Sequence, residues 1–244
     1  MNVVGIVAAL AAEARALGPT KPGFGATRSL ANGTRIAVSG IGFTAAARAA
    51  QALVEAGVTA LASWGMAGGL DPALNAGTIL LPSHVISTDD MSLPTARHWR
   101  ERLAAALAAR HPVAGGKLLS SAVAIEAITE KAAAFAATGA LAVDMESLAV
   151  AQVAAARDLP FIAVRVIVDT ARDALPRAVI AASRSGQVQI GRLIGAVALA
   201  PGELSAVIRL AQRYRAASRS LVAVAHAGSL AQFAFPALSD AGVS

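Results

Sequence analysis

Short apolar runs alternate with amphipathic segments over the first two thirds of the chain. Runs bounded by glycine or polar residues are typical of buried strands, whereas apolar spacing of three and four residues is typical of helices. The predicted strands are residues 3–9, 34–39, 60–64, 78–81, 84–87, 117–121, 140–143 and 161–168. The predicted helices are residues 11–17, 44–56, 96–110, 126–137 and 147–157. This alternation predicts an α/β fold with a largely parallel sheet covered by helices on its faces.

Beyond Asp173 the strand–helix alternation stops. Residues 176–199 are predicted to be helical with a break at Gly186, and a long helix is expected over residues 203–225, before a loose tail at 229–244. Eight residues of the long helix share one face at helical spacing, with Arg209 and Arg213 opposite. They are Leu204, Val207, Ile208, Ala211, Tyr214, Ser218, Leu221 and Val222. Because no linker separates these parts, we expect a single domain over residues 1–244 with an extended C-terminal helical segment from about residue 176.

Composition narrows the functional classes. Hydrophobic residues make up 56% of the 244 positions, yet no uninterrupted apolar run reaches the roughly 20 residues that span a bilayer. The first apolar stretch lacks a basic leader, which favours a strand over a signal peptide. The absence of cysteine excludes disulfides, thiolate metal sites and a cysteine nucleophile. We therefore expect a cytoplasmic protein without a bound metal.

The net charge of +6 comes almost entirely from arginine. Such a balance is compatible with nucleic acid or an anionic membrane. The arginines are scattered until the C-terminal quarter, without a basic run or interleaved aromatics, so a nucleic-acid partner is not expected. A GC-rich genome is an equally good explanation of the arginine and alanine content. Residues 176–219 nevertheless hold seven arginines and a single acid, Glu203, which leaves peripheral contact with the inner face of a membrane as a hypothesis.

Acidic residues follow two of the predicted strands. Asp144 and Glu146 come after residues 140–143, and Asp169 follows residues 161–168. Ligands bind at the carboxyl ends of strands in α/β sheets, and a buried acid is costly unless it is paired or used. The structural alternatives are that Asp144 or Glu146 caps the helix from Ser147, and that Asp169 pairs with Arg165 or Arg172.

Two glycine-rich stretches also follow strands. Ser39-Gly40-Ile41-Gly42 leads into a helix and is compatible with a phosphate or sugar site at the helix N-terminus, although a tight strand-to-helix turn is the commoner meaning. Gly65-Met66-Ala67-Gly68-Gly69-Leu70 is predicted to be a loop. Its glycines permit positive φ and close approach of the backbone to a ligand.

Five blocks together resemble the nucleoside phosphorylase superfamily, over roughly residues 3–173. Within it, the nearer branch is the methylthioadenosine/S-adenosylhomocysteine nucleosidases. The blocks are Val4-Gly-Ile-Val-Ala-Ala-Leu-Ala-Ala-Glu13, Ser39-Gly-Ile-Gly42, Gly65-Met-Ala-Gly-Gly-Leu70, Ala142-Val-Asp-Met-Glu-Ser147 and Arg165-Val-Ile-Val-Asp169. The resemblance implies a three-layer α/β/α fold around a mixed, partly closed sheet. It also implies a homodimer whose partner helps to close the pocket.

The same resemblance implies roles for individual residues. Asp169 corresponds to the acid that protonates N7 of the leaving purine, and Glu13 to the acid that positions and deprotonates the attacking water. Glu146 corresponds to the acid that binds the ribose hydroxyls, with Met145 packed against the sugar. Carboxylates suit this chemistry, because cleavage builds positive charge on the ribose and the departing base needs a proton. The remaining residues expected to contact substrate are Asp144, Met66, Ala67, Gly68, Ala124 and Ile125.

Two departures from the family pattern bear on the substrate. Met66 stands where many members have Ser or Thr, and residues 122–125 lack the aromatic that stacks on the purine. The base is therefore expected to be held by aliphatic packing and backbone hydrogen bonds. The arginine- and alanine-rich C-terminal segment resembles the hopanoid-associated phosphorylases, a branch linked to removal of adenine from adenosylhopane.

The predicted function is cleavage of the N-glycosidic bond of an adenosine-type nucleoside with a large apolar 5′ substituent. No cofactor is expected. Glu13 favours hydrolysis, since an acid there would repel phosphate, whereas the name of the hopanoid branch favours phosphorolysis with inorganic phosphate as co-substrate. Arg15 and Arg48 are candidate phosphate contacts with surface or structural roles as the alternative. Met66 and the missing aromatic also leave open a catalytically degenerate nucleoside-binding protein.

Overall fold

The computed structural model describes residues 3–18, 27–30, 33–174 and 204–227. Eleven strands lie within these ranges: β1 Val4–Ala8, β2 Thr27–Ser29, β3 Arg35–Val38, β4 Ala60–Gly69, β5 Ile79–Leu80, β6 His84–Ile86, β7 Ser92–Pro94, β8 Val113–Ala114, β9 Lys117–Ser120, β10 Ala140–Asp144 and β11 Phe161–Asp169. The helices are α1 Ala11–Ala14, α2 Phe43–Glu55, α3 Arg97–Ala108, α4 Ile128–Thr138, α5 Ser147–Ala155 and α6 Leu204–Ala227, and a 3₁₀ turn, Arg15–Leu17, extends α1.

The strands form one mixed sheet in the order β2-β3-β1-β4-β10-β9-β6-β7, with β11 paired to β4 and leading on to β5 and β8. Strand β4 is the branch point. Its residues Ala60–Trp64 pair with β1 in parallel, and Gly68 and Gly69 pair with β10 in antiparallel. On the other edge, β11 runs parallel to β4 from Leu61 to Gly68. The edge of β4 between its β1 and β10 partners is therefore open to side chains, and a switch of this kind is where α/β sheets bind ligands.

Helices cover both faces of this sheet, as the three-layer prediction requires. On one face α2 and α5 contribute Leu53, Ala149 and Val150 to the core beneath them. On the other face α1, α3 and α6 pack with Trp99 and Leu221 in a second buried cluster. Helix α4 lies beside β9 and β10 over a smaller cluster. The expected α/β/α architecture is confirmed.

The glycine-rich block 65–70 was expected to be a loop, and this prediction is wrong. Strand β4 continues through it to Gly69, because β11 supplies backbone partners along that edge as far as Gly68. Strands β2, β7 and β8 were not predicted, since two or three residues carry too little pattern. The other predicted strands and helices over residues 3–168 are present with small shifts of their ends. The predicted helix at 176–199 and the tail at 229–244 lie outside the described residues.

Helix α6 is present as predicted, but its apolar face is only partly right: Leu221 is buried as expected, and the side chains of Leu204 and Val207 lie outside the described residues. Its buried residues are Ala217, Leu221, Val224 and Ala225, whereas the predicted face members Ile208, Tyr214 and Val222 are 49%, 37% and 39% exposed. The helix packs on β11, on the 3₁₀ turn after α1 and on α3, and Ile208 and Val222 face outward. No helix within the described ranges has the length and apolarity that crossing a membrane requires.

Candidate active site

Glu13 occupies the open edge of β4. Its Oε1 accepts a hydrogen bond from the Met66 N–H at 2.9 Å, and its Oε2 accepts one from the Leu10 N–H at 3.0 Å. The first bond satisfies a backbone donor that has no strand partner on that edge, and the second satisfies a free donor at the start of α1. The Trp64 indole also donates to the backbone oxygen of Glu13 at 3.1 Å. The carboxylate is therefore fixed by backbone groups from two elements.

Glycines in β4 make room for acidic side chains. A Cβ atom on Gly65 would lie 2.6 Å from Glu13 Oε1, and one on Gly68 would lie 3.3 Å from Asp169 Oδ2. Contacts under 3.0 Å do not occur for real Cβ atoms, so Gly65 cannot be replaced without moving Glu13. The glycine-rich block thus admits the protein's own carboxylates close to the strand. The sequence had predicted close approach of a ligand instead.

Glu146 is held at the N-terminus of α2. Its Oε1 accepts from the Gly42 N–H at 2.8 Å, and its Oε2 accepts from the Met145 N–H at 3.3 Å. Gly42 has a φ of 102°, a conformation that favours glycine. The Gly40–Gly42 junction is a tight turn as predicted, and the anion it binds through Gly42 is the Glu146 carboxylate. This contact joins residues 104 positions apart.

Asp144 and Arg165 form a buried ion pair. Arg165 Nε donates to Asp144 Oδ2 at 2.8 Å, and Arg165 Nη2 donates to Ser63 Oγ at 2.6 Å. Asp144 Oδ2 also accepts from the Ser147 N–H at 3.1 Å, so the helix-capping interpretation is confirmed for Asp144. Among the described residues nothing hydrogen-bonds the buried Oδ1. The predicted substrate contact of Asp144 stays a prediction.

Asp169 ends β11 and pairs with Lys131 of α4. The alternative pairing with Arg165 is wrong, because that guanidinium is committed to Asp144. Arg172, the other predicted partner, is exposed. Lys131 was not predicted as a site residue, although it is one of only three lysines in the chain and lies in an alanine-rich helix. Its complete burial was the unexpected feature.

Burial raises the pKa of all three candidate acids. It raises the pKa of Glu146 to about 7, with a further contribution from the Asp144 charge that Arg165 partly offsets. It also raises the pKa of Glu13, against the hydrogen bond from Met66, and the pKa of Asp169, against the charge of Lys131. Acids whose pKa is raised by burial beside specific charged partners are candidates for a functional site.

Helix α6 reaches the same region from its side of the sheet. Burial raises the pKa of the Tyr214 phenol and the nearby Glu13 carboxylate raises it further. Arg213 forms an ion pair with Asp173, four residues beyond Asp169. The C-terminal helix is therefore close to both Glu13 and the loop after Asp169, which the sequence did not indicate.

The other predicted site residues are placed as follows. Met66 and Met145 are half-buried, and Gly68 lies against Asp169. The Ala67 side chain packs into the core cluster beneath α2 and α5, so only its backbone remains for a ligand. Ala124 is exposed, and Ile125 packs on the small cluster near α4. Arg15 and Arg48 are both exposed. Among the described residues no group of three or more histidine, aspartate or glutamate side chains is arranged to hold a metal.

Several solved structures share this fold at low sequence identity. The 5′-methylthioadenosine/S-adenosylhomocysteine nucleosidase of Neisseria meningitidis, in complex with methylthio-immucillin-A, is 19% identical with a TM-score of 0.68, over 94% of this chain and 100% of that one. The futalosine hydrolase of Helicobacter pylori is 19% identical with a TM-score of 0.63, over 81% of this chain and 98% of that one.

A methylthioadenosine nucleosidase from Weissella paramesenteroides, assigned that activity without proof, is also 19% identical, with a TM-score of 0.63 over 93% of this chain and 99% of that one. A search of the curated proteins found no match. The family model described as the phosphorylase superfamily matches residues 4–198. A match over that length, on a fold with acids at the branch point of the sheet, places the chain in the phosphorylase superfamily.

Proposed function

We propose that this protein hydrolyses the N-glycosidic bond of an adenosine-type nucleoside and releases adenine. The observation that carries the proposal is the set of three separately anchored acids, Glu13, Glu146 and Asp169, around one stretch of β4. Burial raises the pKa of each, and two of them, Glu13 and Asp169, are given proton transfers in the proposed reaction. The nucleosidases and the hydrolase of similar fold support the same type of reaction.

Each acid has a role that its surroundings favour. Asp169, protonated, donates to N7 of the purine, so that the base leaves without negative charge. Glu146, fixed by Gly42 and Met145, accepts hydrogen bonds from the ribose hydroxyls and stabilises the positive charge that develops on the sugar. Glu13 takes a proton from water, which attacks the anomeric carbon. Its raised pKa makes the ionised form a stronger base.

Hydrolysis is favoured over phosphorolysis by the charge of the site. The charge of Arg165 acts on both Glu13 and Glu146, but this cation is committed to Asp144. A phosphate dianion placed among these carboxylates would meet net negative charge. The decisive experiment follows adenine release in phosphate-free buffer and in added phosphate, and identifies the sugar product. A sugar with a free anomeric hydroxyl in both conditions supports hydrolysis, whereas a sugar 1-phosphate would refute it.

We propose further that the substrate carries a large apolar 5′ group, with adenosylhopane as the leading candidate. Ile41 and Phe43 flank Gly42, beside Glu146, and are 39% and 42% exposed, so apolar surface lies next to the proposed ribose site. The test compares adenine release from adenosine, methylthioadenosine, S-adenosylhomocysteine and adenosylhopane. A preference for the smallest or most polar of these would refute this substrate.

The alternative function is a catalytically degenerate nucleoside-binding protein. Met66 is half-buried beside Glu13, and no aromatic occupies residues 122–125. A protein that binds nucleosides without cleaving them could tolerate both departures from the family pattern. A pure binder, however, has little use for three buried acids with raised pKa values. Calorimetry with adenosine analogues, combined with the release assay, separates the two: binding without turnover of any analogue would favour the alternative.

We also propose a homodimer that contacts an anionic membrane through α6. The side of the helix opposite its buried face carries two exposed apolar residues and two exposed arginines: Ile208, Val222, Arg215 and Arg219. Sedimentation measures the oligomeric state, and co-sedimentation with anionic vesicles measures membrane binding. The membrane proposal requires binding that falls with added salt and with Arg215 and Arg219 changed to Glu. A monomer would refute the homodimer, and a lack of vesicle binding at low salt would refute the membrane contact.

A further inference from the structure

Lys131 is buried completely, and each N–H of its ammonium group has an acceptor. These acceptors are Asp169 Oδ2, the Thr170 backbone oxygen at 3.0 Å and the Asp173 backbone oxygen at 2.8 Å. An ammonium group has three donors, so none is left for a substrate. Any influence of Lys131 on the reaction must pass through Asp169 and the loop that follows it.

The acceptors of Lys131 are the last residue of β11 and the turn beyond it. A lysine that served only to join α4 to this turn would need the two backbone oxygens alone. The third contact is with the carboxyl group assigned the proton transfer to the base. On this geometry we infer that Lys131 is a positioning residue that holds Oδ2 of Asp169, so that the transferable proton resides on Oδ1. The inference rests on the proposed function, which gives Asp169 a proton to transfer.

The physical reason lies in the two oxygens of a carboxylic acid. One oxygen carries the proton and the other is an acceptor only. Because Oδ2 accepts from Lys131, the proton is placed on Oδ1 when Asp169 is protonated. The Asp169 carboxyl group also packs against Gly68 of β4. A Cβ built on Gly68 would lie 3.3 Å from Oδ2 and 3.5 Å from Oδ1, so the two oxygens are almost equally far from the strand.

Lys131 also opposes the effect of burial on the acid. Burial raises the pKa of Asp169, the Lys131 charge lowers it, and the Asp173 charge raises it. Asp173 is itself paired with Arg213 of α6. Loss of the ammonium therefore raises the pKa of Asp169 further and yields a weaker acid, which protonates the leaving base less readily.

The first experiment uses the unaltered full chain labelled with 13C at lysine Cε. The chain has three lysines, so the spectrum is simple, and the exposed Lys117 is an internal reference. We expect the Lys131 signal to shift with pH as Asp169 ionises, and this shift to be absent in Asp169→Asn. A Lys131 signal that shows no such shift, with Asp169 present, would overturn the inference. This readout does not depend on finding the substrate.

The second experiment measures adenine release by Lys131→Met, Lys131→Arg and the control Lys117→Met over a range of pH. We expect Lys131→Met to lower kcat on the order of tenfold or more, with a smaller change in KM, and to move the basic limb of the kcat profile to higher pH. Lys131→Arg retains the charge and should recover part of kcat. A folded Lys131→Met protein with the wild-type profile would overturn the inference.

Failure of the proposed function and failure of the positioning role of Lys131 give different results. If the wild-type protein releases no base from any nucleoside, the proposed function fails, and the NMR titration still decides whether Lys131 senses Asp169. If the wild type is active and the profile of Lys131→Met is unchanged, only the positioning role fails. Should Lys131→Met not fold, the titration of the wild type and the profile of Lys131→Arg decide the question.

Discussion

Two ways of holding a carboxyl group are found on opposite sides of β4. Glu13 and Glu146 are held by backbone N–H groups, at the start of α1, in β4 and at the start of α2. Asp169 is held by a charged side chain, Lys131, from a separate helix. Backbone donors stabilise the ionised form and are kept in every substitution except proline, whereas any change of the lysine removes or alters its donor. With the proposed roles, the acids assigned to water and ribose are fixed by the backbone, and the acid assigned to the base is adjustable through a side chain.

The largest effect is expected at the adjustable acid. Asp169→Asn preserves the shape of the side chain and an oxygen that can accept from Lys131, but removes the transferable proton. Loss of a general acid lowers turnover by about 100-fold or more. Adenine release and thermal unfolding of the variant are measured together. A folded protein with near-normal turnover would remove Asp169 from the mechanism.

A second effect of similar size tests how closely Glu13 is fitted to the strand. Gly65→Ala places a Cβ within 2.6–2.9 Å of the whole Glu13 carboxyl group, which must move. A displacement near 1 Å in an active site costs about 100-fold in rate. Gly68→Ala meets Asp169 at 3.3 Å, a contact that small shifts relieve, so its loss should be smaller.

Gly115→Ala is the control for Gly68→Ala, because a Cβ there meets nothing within 4 Å. Gly65 has a φ of +157°, so its control is Gly57→Ala, which has a φ of +85° and nothing within 4 Å. Both controls should retain wild-type turnover. Equal losses of kcat/KM in Gly65→Ala and Gly68→Ala would show that Glu13 is packed no more closely against β4 than Asp169 is.

The same contrast explains which parts the sequence predicted. Glu146 and Asp169 follow predicted strands, so local pattern and family resemblance both single them out, whereas Glu13 was predicted through the resemblance alone. Lys131 contacts an acid 38 residues away, and α6 reaches Asp173 across 40 positions of sequence, so neither contact leaves a local pattern. The continuation of β4 through its glycines also depends on β11, a partner about 100 residues later. Layers and acids were predictable, but the long-range partners that fix them were not.

A moderate effect is expected for Glu146→Gln. A carboxylate accepts from two ribose hydroxyls, whereas an amide has one good acceptor atom. Loss of a charged hydrogen bond costs about 1.5–3 kcal/mol, or roughly 10- to 150-fold in kcat/KM. The measurement compares nucleosides with their 2′-deoxy analogues. The variant should lose less on the deoxy substrates, and an identical loss on both would show that Glu146 does not contact the 2′-hydroxyl.

Glu146 also makes stability depend on pH. Its folded pKa of about 7 lies above the ordinary 4.5, so the folded state keeps a proton that the unfolded state releases between these values. The stability due to protonated Glu146 is therefore complete below pH 4.5 and is lost as pH rises through about 7. Urea unfolding at pH 5 and pH 8 should show a smaller decrease for Glu146→Gln than for the wild type. An equal decrease would place the titrating groups elsewhere.

The smallest effect concerns the second ion pair on the adjustable side, Arg213 with Asp173. Hydrogen bonds from Thr170 and Arg213 lower the pKa of Asp173 despite partial burial, which raises it. The lowered pKa means that this stability is present above the ordinary value of 3.8 and is lost as pH falls through the folded pKa. The pair is partly exposed, so Arg213→Ala should cost only about 0.5–1 kcal/mol at neutral pH.

Turnover in Arg213→Ala should change little, because Asp173 keeps its two hydrogen bonds from Thr170 and its backbone oxygen still accepts from Lys131. Arg209→Ala, at an exposed position on the same helix, is the matched control and should cost less. Urea unfolding of both variants at pH 7 and pH 3 measures the difference, which should shrink at the lower pH. A large loss of turnover in Arg213→Ala, without loss of stability, would instead mean that α6 acts on Asp169 directly, and that the acid on the base side is adjusted from two helices rather than one.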